Sequence, residues 1–442
     1  MSARHVAIVG AGASGTLQAL HLLRAGAERV TLVEREREPG RGTAYGTRRP
    51  EHLLNVTAHR MSVWPDDPTD FARWFGGRGG AADDYAPRML FGDYLSGLMN
   101  TAGERLEVVR GAAVAVEAAG GLERVRLDDG RAIDADAVVL ALGNLRPAPV
   151  RGIDPARLGD LYVEDPWYGG FTEGLDARDT LLLVGTALTA IDAALTLDAT
   201  GFRGNILAVS RRGLTPRPHL RREPVVDGPT AFPASCVALL RALRRRAPEI
   251  GWREAVHELR PVTQQVWGSL PPDERHRFVR HLRPWWDVHR HRIAPAVAER
   301  IAAMQAEERL RFAAGRIVSA EAEGDAALVA WRPRGRDEVE QIRVRRIVGC
   351  SGPELDIARA GEPLLDSLLA LGRIRPDPYR LGIDVDLHSR ALGAGGAPSA
   401  TLSVIGPMTR GAFWETIAVS DIAAQAQAVA RRILGRDSAA GR

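Results

Sequence analysis

The chain has 442 residues, 45% hydrophobic and 26% charged, a length and balance that allow two or three globular domains with a large core. Every one of its 59 basic residues is an arginine, which excludes lysine Schiff-base and lysine-base mechanisms, and a formal charge of +4 suits anionic cofactors without demanding a polyanion. Arginines alternate with acidic neighbours and apolar runs are strand-sized, so neither a nucleic-acid partner nor a membrane-spanning segment is expected, and the N-terminus shows no cleavable signal.

The N-terminal stretch HVAIVGAGASG reads as a buried strand, His5 to Val9, running into G-x-G-x-x-G at Gly10, Gly12 and Gly15. An amphipathic run from Thr16 to Arg24 follows as a helix. Gly10 permits the turn, Gly12 lets the backbone approach a pyrophosphate, and Gly15 lets the helix pack on the strand, while free helix amides face the anion. Ser14 and Thr16 are expected cofactor contacts at the same helix start. VTLVE, residues 30 to 34, is the next strand, and its terminal Glu34 stands where an acid accepts hydrogen bonds from a ribose diol.

The following segment, GRGTAYG to DFARWF, is rich in turns and aromatics and too irregular for repeated secondary structure. DADAVVLALGNLRPAPVRG, residues 134 to 152, gives a strand ending at Ala141, Leu142 and Gly143, with prolines that stiffen a crossover. LLLVGTALTAID then offers a second strand, Thr180 to Val184, and an imperfect G-x-G-x-x-A turn at Gly185, Ala187 and Ala190. The predicted helix covers Leu188 to Leu197, making Thr186, Leu188 and Thr189 candidate phosphate contacts. GNILAVSRRG closes this second βαβ unit on Ser210, Arg211 and Arg212, a hydroxyl and two guanidiniums able to bind a 2′-phosphate that a carboxylate would repel.

From about Arg221 to Gly315 helical patterns dominate, and this excess over a minimal nucleotide unit is the candidate for substrate selection. Within RPWWDVHRHRIAP, Pro284 and Pro295 bracket a short helix that places His289 and His291 on different faces, against a metal site. Trp285, Trp286, His289 and Ile293 are expected on its packed face, or as a pocket wall, and Arg290 on its wet face. VRRIVGCSGPELD, residues 344 to 356, reads as an apolar strand and glycine turn with Cys350 a small core residue. The two cysteines, Cys236 and Cys350, are far apart and encode neither a disulfide framework nor a local dithiol, which fits a reducing cytoplasm. Residues 402 to 434 combine a strand, a glycine loop and a long helix, with Trp414, Glu415 and Thr416 expected at the helix start, where its dipole favours negative charge. The terminal DSAAGR is expected to fray.

Two unlike dinucleotide signatures in this order resemble flavoproteins with two dinucleotide-binding domains, and imply FAD at the first and NADPH at the second. ALGNLRPAP is similar to the A-T-G-x-x-x-x-P connection of flavin monooxygenases. RGTAYG, LLNV and MSVWPDDPTDFARWF, together with WREAVHELRPVTQQVW and RHLRPWWDVHRHRIAP, resemble an FAD/NAD(P)-binding family related to those enzymes. The resemblance implies an α/β fold in which an NADP domain, residues 151 to 339 with a helical insertion at about 221 to 315, interrupts a discontinuous FAD domain of residues 1 to 150 and 340 to 442. It also implies that Arg41, Thr43, Asn55, Met61 and Ser62 surround the flavin.

The implied activity is oxygenation of a small molecule by molecular oxygen through a flavin hydroperoxide after NADPH reduces FAD, with N- and S-oxygenation both open. No F-x-G-x-x-x-H motif precedes the second turn, where DPWYGGFTEGLD stands instead, which disfavours Baeyer-Villiger chemistry. A reductase or oxidase that inserts no oxygen, and a non-enzymatic flavin redox sensor, also remain compatible with the residues.

Overall fold

The computed structural model describes residues 4–35, 38–220 and 231–436. The apolar run His5–Val9 is flanked on both sides by strands and takes a central place in a six-stranded sheet. The sheet order is Arg390–Leu392, Pro398–Val404, Ala137–Leu140, His5–Val9, Arg29–Glu34 and Leu106–Arg110. All neighbours are parallel except the edge strand Arg390–Leu392. Because Pro398–Val404 pairs beside Ala137–Leu140, this sheet is assembled from both ends of the chain.

Helix Ala13–Arg24 starts three residues earlier than the periodicity suggests, since Gly12 already serves as its N-cap. It packs beside the C-terminal helix Val419–Ile433: Gln18 Nε2 donates to the Ala426 carbonyl at 3.3 Å, and Leu22 and Leu23 share a core with Val429 and Ala430. On the other side of the sheet a three-stranded antiparallel ribbon, Ala113–Ala119, Leu122–Leu127 and Ala132–Ala135, packs Val116 and Val125 against Leu365 and Leu368 of helix Pro363–Ala370.

A second, seven-stranded sheet runs in the order Glu340–Val344, Ala326–Pro333, Leu310–Glu323, Asn205–Ser210, Thr180–Val184, Arg346–Gly349 and Tyr162–Val163. Thr180–Val184 lies between Asn205–Ser210 and Arg346–Gly349, parallel to both. This corrects the expected re-entry near residue 340: by strand pairing, Glu340–Val344 and Arg346–Gly349 still belong to the second sheet, and the chain returns to the first only after Gly349. A short apolar strand carries no mark of the sheet it joins, so its partner was not legible locally.

Between Asn205–Ser210 and Leu310–Glu323 lie the helices Cys236–Ile250, Trp252–His257, Thr263–Ser269, Pro272–Arg277, Arg283–Arg290 and Pro295–Ala306. The helical segment therefore ends at Ala306, and residues 310 to 315 are strand, not helix; residues 221 to 230 of the expected segment, and the terminal DSAAGR, lie outside the described residues. Helix Arg283–Arg290 ends before His291, whose φ of −92° and ψ of 77° are non-helical, so only His289 of the two histidines is helical. Likewise the C-terminal helix begins at Val419, leaving Trp414, Glu415 and Thr416 in the preceding turn.

Candidate functional site

The first glycine turn separates what the fold needs from what the groove needs. Gly10 has φ +99°, and a Cβ there would lie 2.5 Å from the Ala141 carbonyl oxygen; a Cβ on Gly15 would lie 1.8 Å from the Gly10 carbonyl oxygen. Both residues are glycine because the backbone is too close for anything larger. Gly12 differs. Its φ is −69°, and a Cβ would meet nothing nearer than the Gly42 Cα at 3.4 Å, so the protein alone does not require glycine there.

The space beside Gly12 is a groove of about 250 Å³ lined by Gly10, Gly12, Ser14, Glu34, Arg41, Thr43 and Gly143. Helix Ala13–Arg24 opens onto it without a side-chain cap, so its first amides are available to an anion. Glu34 is oriented by the Ala11 amide, which donates to Oε2 at 3.0 Å. Pro407 and Ile417, brought in from the C-terminal part, also line the groove; as lone apolar residues they gave no sequence signal.

Other expected contacts stand behind the groove. Gly15 packs on Gly10, and Thr16, fully buried, donates to the Ala11 carbonyl and the Met99 sulfur. Met61 sits in a core with Phe71 and Phe91, Ser62 bonds the Trp64 and Asp67 carbonyls, and the Asn55 carbonyl pairs with His219 Nε2 at 2.9 Å. These three shape the neighbouring wall rather than the groove surface. Arg41 reaches the groove, but its guanidinium is paired with Glu38 and Asp93.

The second turn repeats the first. Gly185, at φ +142°, would place a Cβ 2.1 Å from the Cys350 carbonyl oxygen, as Gly10 does against Ala141. Ala187 has φ −89° and ψ −166°, close to the −69° and −168° of Gly12, and helix Leu188–Ala199 again lacks a side-chain cap. The alanine therefore fits without strain, at the cost of a methyl group on the open side. Thr186 Oγ1 lies 2.8 Å from Ser210 Oγ, which braces the turn, while Leu188 packs partly into the core below and Thr189 stays half-buried in the helix's first turn.

Arg211 and Arg212 border a cavity of about 520 Å³ together with Arg316, Arg332, Arg334 and Arg336. Arg316 and Arg332 are paired directly across two strands, an arrangement of like charges that is unfavourable unless an anion intervenes. Among the described residues only Arg336 of the six has a carboxylate partner, Glu340 at 2.9 Å. Arg316, Arg332 and Arg334 were missed by sequence reasoning because only the register of the strands brings them to Arg211.

A third cavity, of about 920 Å³, lies within the helical segment, with Trp285, Trp286, His289 and Trp414 in its wall. Trp285 is 47% exposed rather than packed. Arg290 is not on a wet face: its Nε lies 2.6 Å from Glu415 Oε2 in a buried pair, and Trp286 Nε1 donates to Glu415 Oε1 at 3.1 Å. Trp267 Nε1 donates to the Gly411 carbonyl at 2.8 Å. These bonds seat the turn from Gly411 to Ile417 between the spaces, with Trp414 facing the third cavity and Ile417 the first groove. Thr416 is inside the turn, bonded to the Phe413 carbonyl and to Thr409.

Electrostatics leave the thiols inert. Burial pushes the Cys350 thiol far up, and burial beside Glu274 lifts Cys236 to about 11, so neither supplies a thiolate. Burial, with the guanidiniums of Arg290, Arg410 and Arg283 nearby, holds His291 neutral by lowering it to about 3. Among the described residues no group of three or more His, Cys, Asp or Glu is arranged to hold a metal ion, and no helix is long and apolar enough to cross a membrane.

Comparison with known proteins agrees with this geometry. Residues 7–145 match a family model described as FAD-NAD(P)-binding, which coincides with the first turn and its groove. A search of curated proteins finds no match. Among solved structures, the chain is similar to the Kutzneria sp. 744 ornithine N-hydroxylase KtzI, in a structure with reduced FAD, NADP⁺ and L-ornithine (TM-score 0.69, 15% identity, 99% of this chain and 100% of that one). It is similar to the FAD-bound cadaverine monooxygenase DfoA of Erwinia amylovora (TM-score 0.68, 12% identity, 99% and 95%) and to the L-lysine 6-monooxygenase of Pseudomonas syringae (TM-score 0.67, 17% identity, 98% and 100%). At these identities the likeness establishes the fold, an α/β architecture shared along nearly the whole length of both chains.

Proposed function

We propose that this chain is an FAD-dependent monooxygenase that draws electrons from NADPH and transfers one oxygen atom of O₂ to a small molecule, by N- or S-oxygenation. The observation that carries this reading is the opposite charge of two otherwise equivalent dinucleotide turns, Glu34 ending the strand after the first and an arginine cluster bordering the second. A carboxylate selects a free ribose diol; guanidiniums select a 2′-phosphate.

The residues present fit both groups. Gly12 leaves open the space that a pyrophosphate needs, and Gly10, Ser14, Glu34, Thr43 and Gly143 line the groove that would hold FAD. Gly185, Ala187 and the first turn of helix Leu188–Ala199 would receive the NADPH pyrophosphate, with Arg211 and Arg212 at its 2′-phosphate. Strand pairing supports an FAD unit made of residues 1–150 with the part after Gly349, and an NADPH unit made of the sequence between.

Bound FAD supplies hydride acceptance and oxygen activation. The chain supplies position: Ile417 of the Gly411 to Ile417 turn lines the groove, and the buried Arg290–Glu415 pair fixes that turn. Both thiols are held protonated, which disfavours an electron path to a protein dithiol. The solved proteins of this fold named as N-hydroxylase and monooxygenases favour oxygen insertion over simple reduction. The test is NADPH oxidation under ¹⁸O₂ with a panel of amines and thioethers, aromatic acids bearing either group among them: label on nitrogen or sulfur in a product supports the reading, and hydrogen peroxide alone in every case contradicts it.

A further inference from the structure

The cavity in the helical segment has a lining unlike either dinucleotide site. Five of the nine tryptophans in the chain, Trp252, Trp267, Trp285, Trp286 and Trp414, border this one space. Trp267 and Trp414 have ring centroids 4.9 Å apart, and Phe278 meets Trp414 nearly edge-on at 5.0 Å, so the floor is a fixed aromatic platform. Trp252 and Trp285, by contrast, are 45% and 47% exposed. Two large indoles open to water beside a preformed platform are surface that a flat apolar molecule would cover, with stacking added to area burial. The volume, about 920 Å³, lies in the range of sites for molecules of that size.

The charges at the cavity set the sign of the ligand. Among the described residues Arg217, Arg244 and Arg253 border it, against one carboxylate, Glu254. Among the described residues none of the three arginines has an ion-pair partner. An ammonium would gain cation–π attraction from the indoles but would face three guanidiniums with a single compensating acid. A carboxylate meets the reverse. The site is also placed for chemistry, because Trp414 belongs to the turn whose Ile417 lines the dinucleotide groove.

We propose that this cavity is the substrate site and that it takes a flat aromatic carboxylate, one that also carries the amine nitrogen or thioether sulfur to be oxygenated, rather than an aliphatic diamine or diamino acid. As a statement about the substrate, this rests on the monooxygenase reading above; as a statement about what the cavity binds, it does not.

The experiment is calorimetric titration of the FAD-loaded protein with 1-naphthylacetate, 1-naphthylmethylamine and cadaverine. Naphthylacetate is expected to bind saturably, one per chain, at least tenfold more tightly than the naphthyl amine, with cadaverine weaker still. Leu243→Trp, which fills the cavity, and Arg244→Glu, at an exposed helix position, are each expected to weaken naphthylacetate tenfold or more, and Arg244→Glu to narrow the gap between acid and amine. Retained FAD per chain reports that each variant is folded, and either variant alone suffices. Equal binding of acid and amine, tighter binding of cadaverine, or indifference to a folded variant would overturn the proposal. Acid-selective binding in a protein whose flavin NADPH never reduces would overturn the monooxygenase reading and leave the cavity's selectivity standing.

Discussion

Arg290 and Glu415, 125 residues apart in sequence, meet at 2.6 Å between Nε and Oε2, with side chains only 14% and 6% exposed. The pair ties the helical segment to the turn that divides the dinucleotide groove from the aromatic cavity. Removing one member leaves a buried charge without its partner, so Glu415→Leu or Arg290→Met alone is expected to cost about 3 to 5 kcal/mol. Arg290→Met with Glu415→Leu, which removes both charges, should cost much less than the sum of the single changes. Chemical denaturation of the four species as a double-mutant cycle checks this; additive losses would show that the pair is not coupled.

Gly12 and Gly15 should fail in different ways. Gly15→Ala forces a Cβ to within 1.8 Å of the Gly10 carbonyl oxygen and is expected to abolish soluble, folded protein or lower its melting temperature severely. Gly12→Val brings its Cβ no nearer to any atom than the Gly42 Cα at 3.4 Å, so the fold should survive while bound FAD is lost. Circular dichroism and flavin content per chain separate the two, and a Gly12→Val protein that keeps its flavin would mean that no pyrophosphate passes Gly12.

His21 makes stability acid-sensitive. It is buried in helix Ala13–Arg24 with Nε2 3.0 Å from the Val63 carbonyl, and burial lowers it to about 4. The unfolded chain takes up a proton near the ordinary histidine value of about 6.5, so it binds more protons than the native state between these values. This contribution is fully present above pH ~6.5 and is lost as pH falls through about 4. Asp377 and Asp421, raised by burial to about 6, act oppositely: their contribution is present below the ordinary aspartate value and is lost as pH rises through about 6. Comparison with His21→Gln, which keeps a donor for Val63, isolates the histidine. Between pH ~7.5 and ~5 the wild type should lose roughly 2 kcal/mol relative to the variant. Parallel profiles would refute it.

Arg211 and Arg212 should govern the choice between nicotinamide cofactors. Replacing both by alanine removes charge-assisted hydrogen bonds worth roughly 1.5 to 3 kcal/mol each before non-additivity, and is expected to weaken NADPH far more than NADH. Arg316, Arg332 and Arg334 remain in the variant, so some NADPH preference and its salt dependence should persist. Equal losses with both cofactors would make the two arginines structural.

The parts of this site that were legible in sequence are those with local causes. Gly10, Gly15 and Gly185 announce themselves by spacing because each is dictated by a backbone within its own βαβ unit or its neighbour strand, and Glu34 and Arg211 by standing at the end of the next strand. The other arginines of the cluster depend on register: Ser210 pairs with Ala314 and Gly315 with Pro333, and no motif encodes that meeting. Trp414, Glu415 and Thr416 were misplaced at a helix start because the turn that holds them is set by Glu415 reaching Arg290 and Trp286 on a distant helix. For the same reason Arg290, an ordinary charged residue of a polar helix, gave no hint of burial. Asn55, Met61 and Ser62 do not line the groove itself: Met61 packs with Phe71 and Phe91, Ser62 bonds the Trp64 and Asp67 carbonyls, and the Asn55 carbonyl meets His219, a matter of packing that a turn-rich segment does not reveal.

The central claim is that two different dinucleotides meet in this chain and exchange a hydride. The most direct measurement is anaerobic mixing of the protein, with the flavin it retains through purification, with NADPH in one syringe and NADH in another, followed by admission of oxygen. The account predicts that the flavin released on denaturation is FAD, that NADPH bleaches its absorbance much faster than NADH, and that oxygen restores it. A protein that holds no FAD, or whose FAD stays oxidised under NADPH, would contradict it.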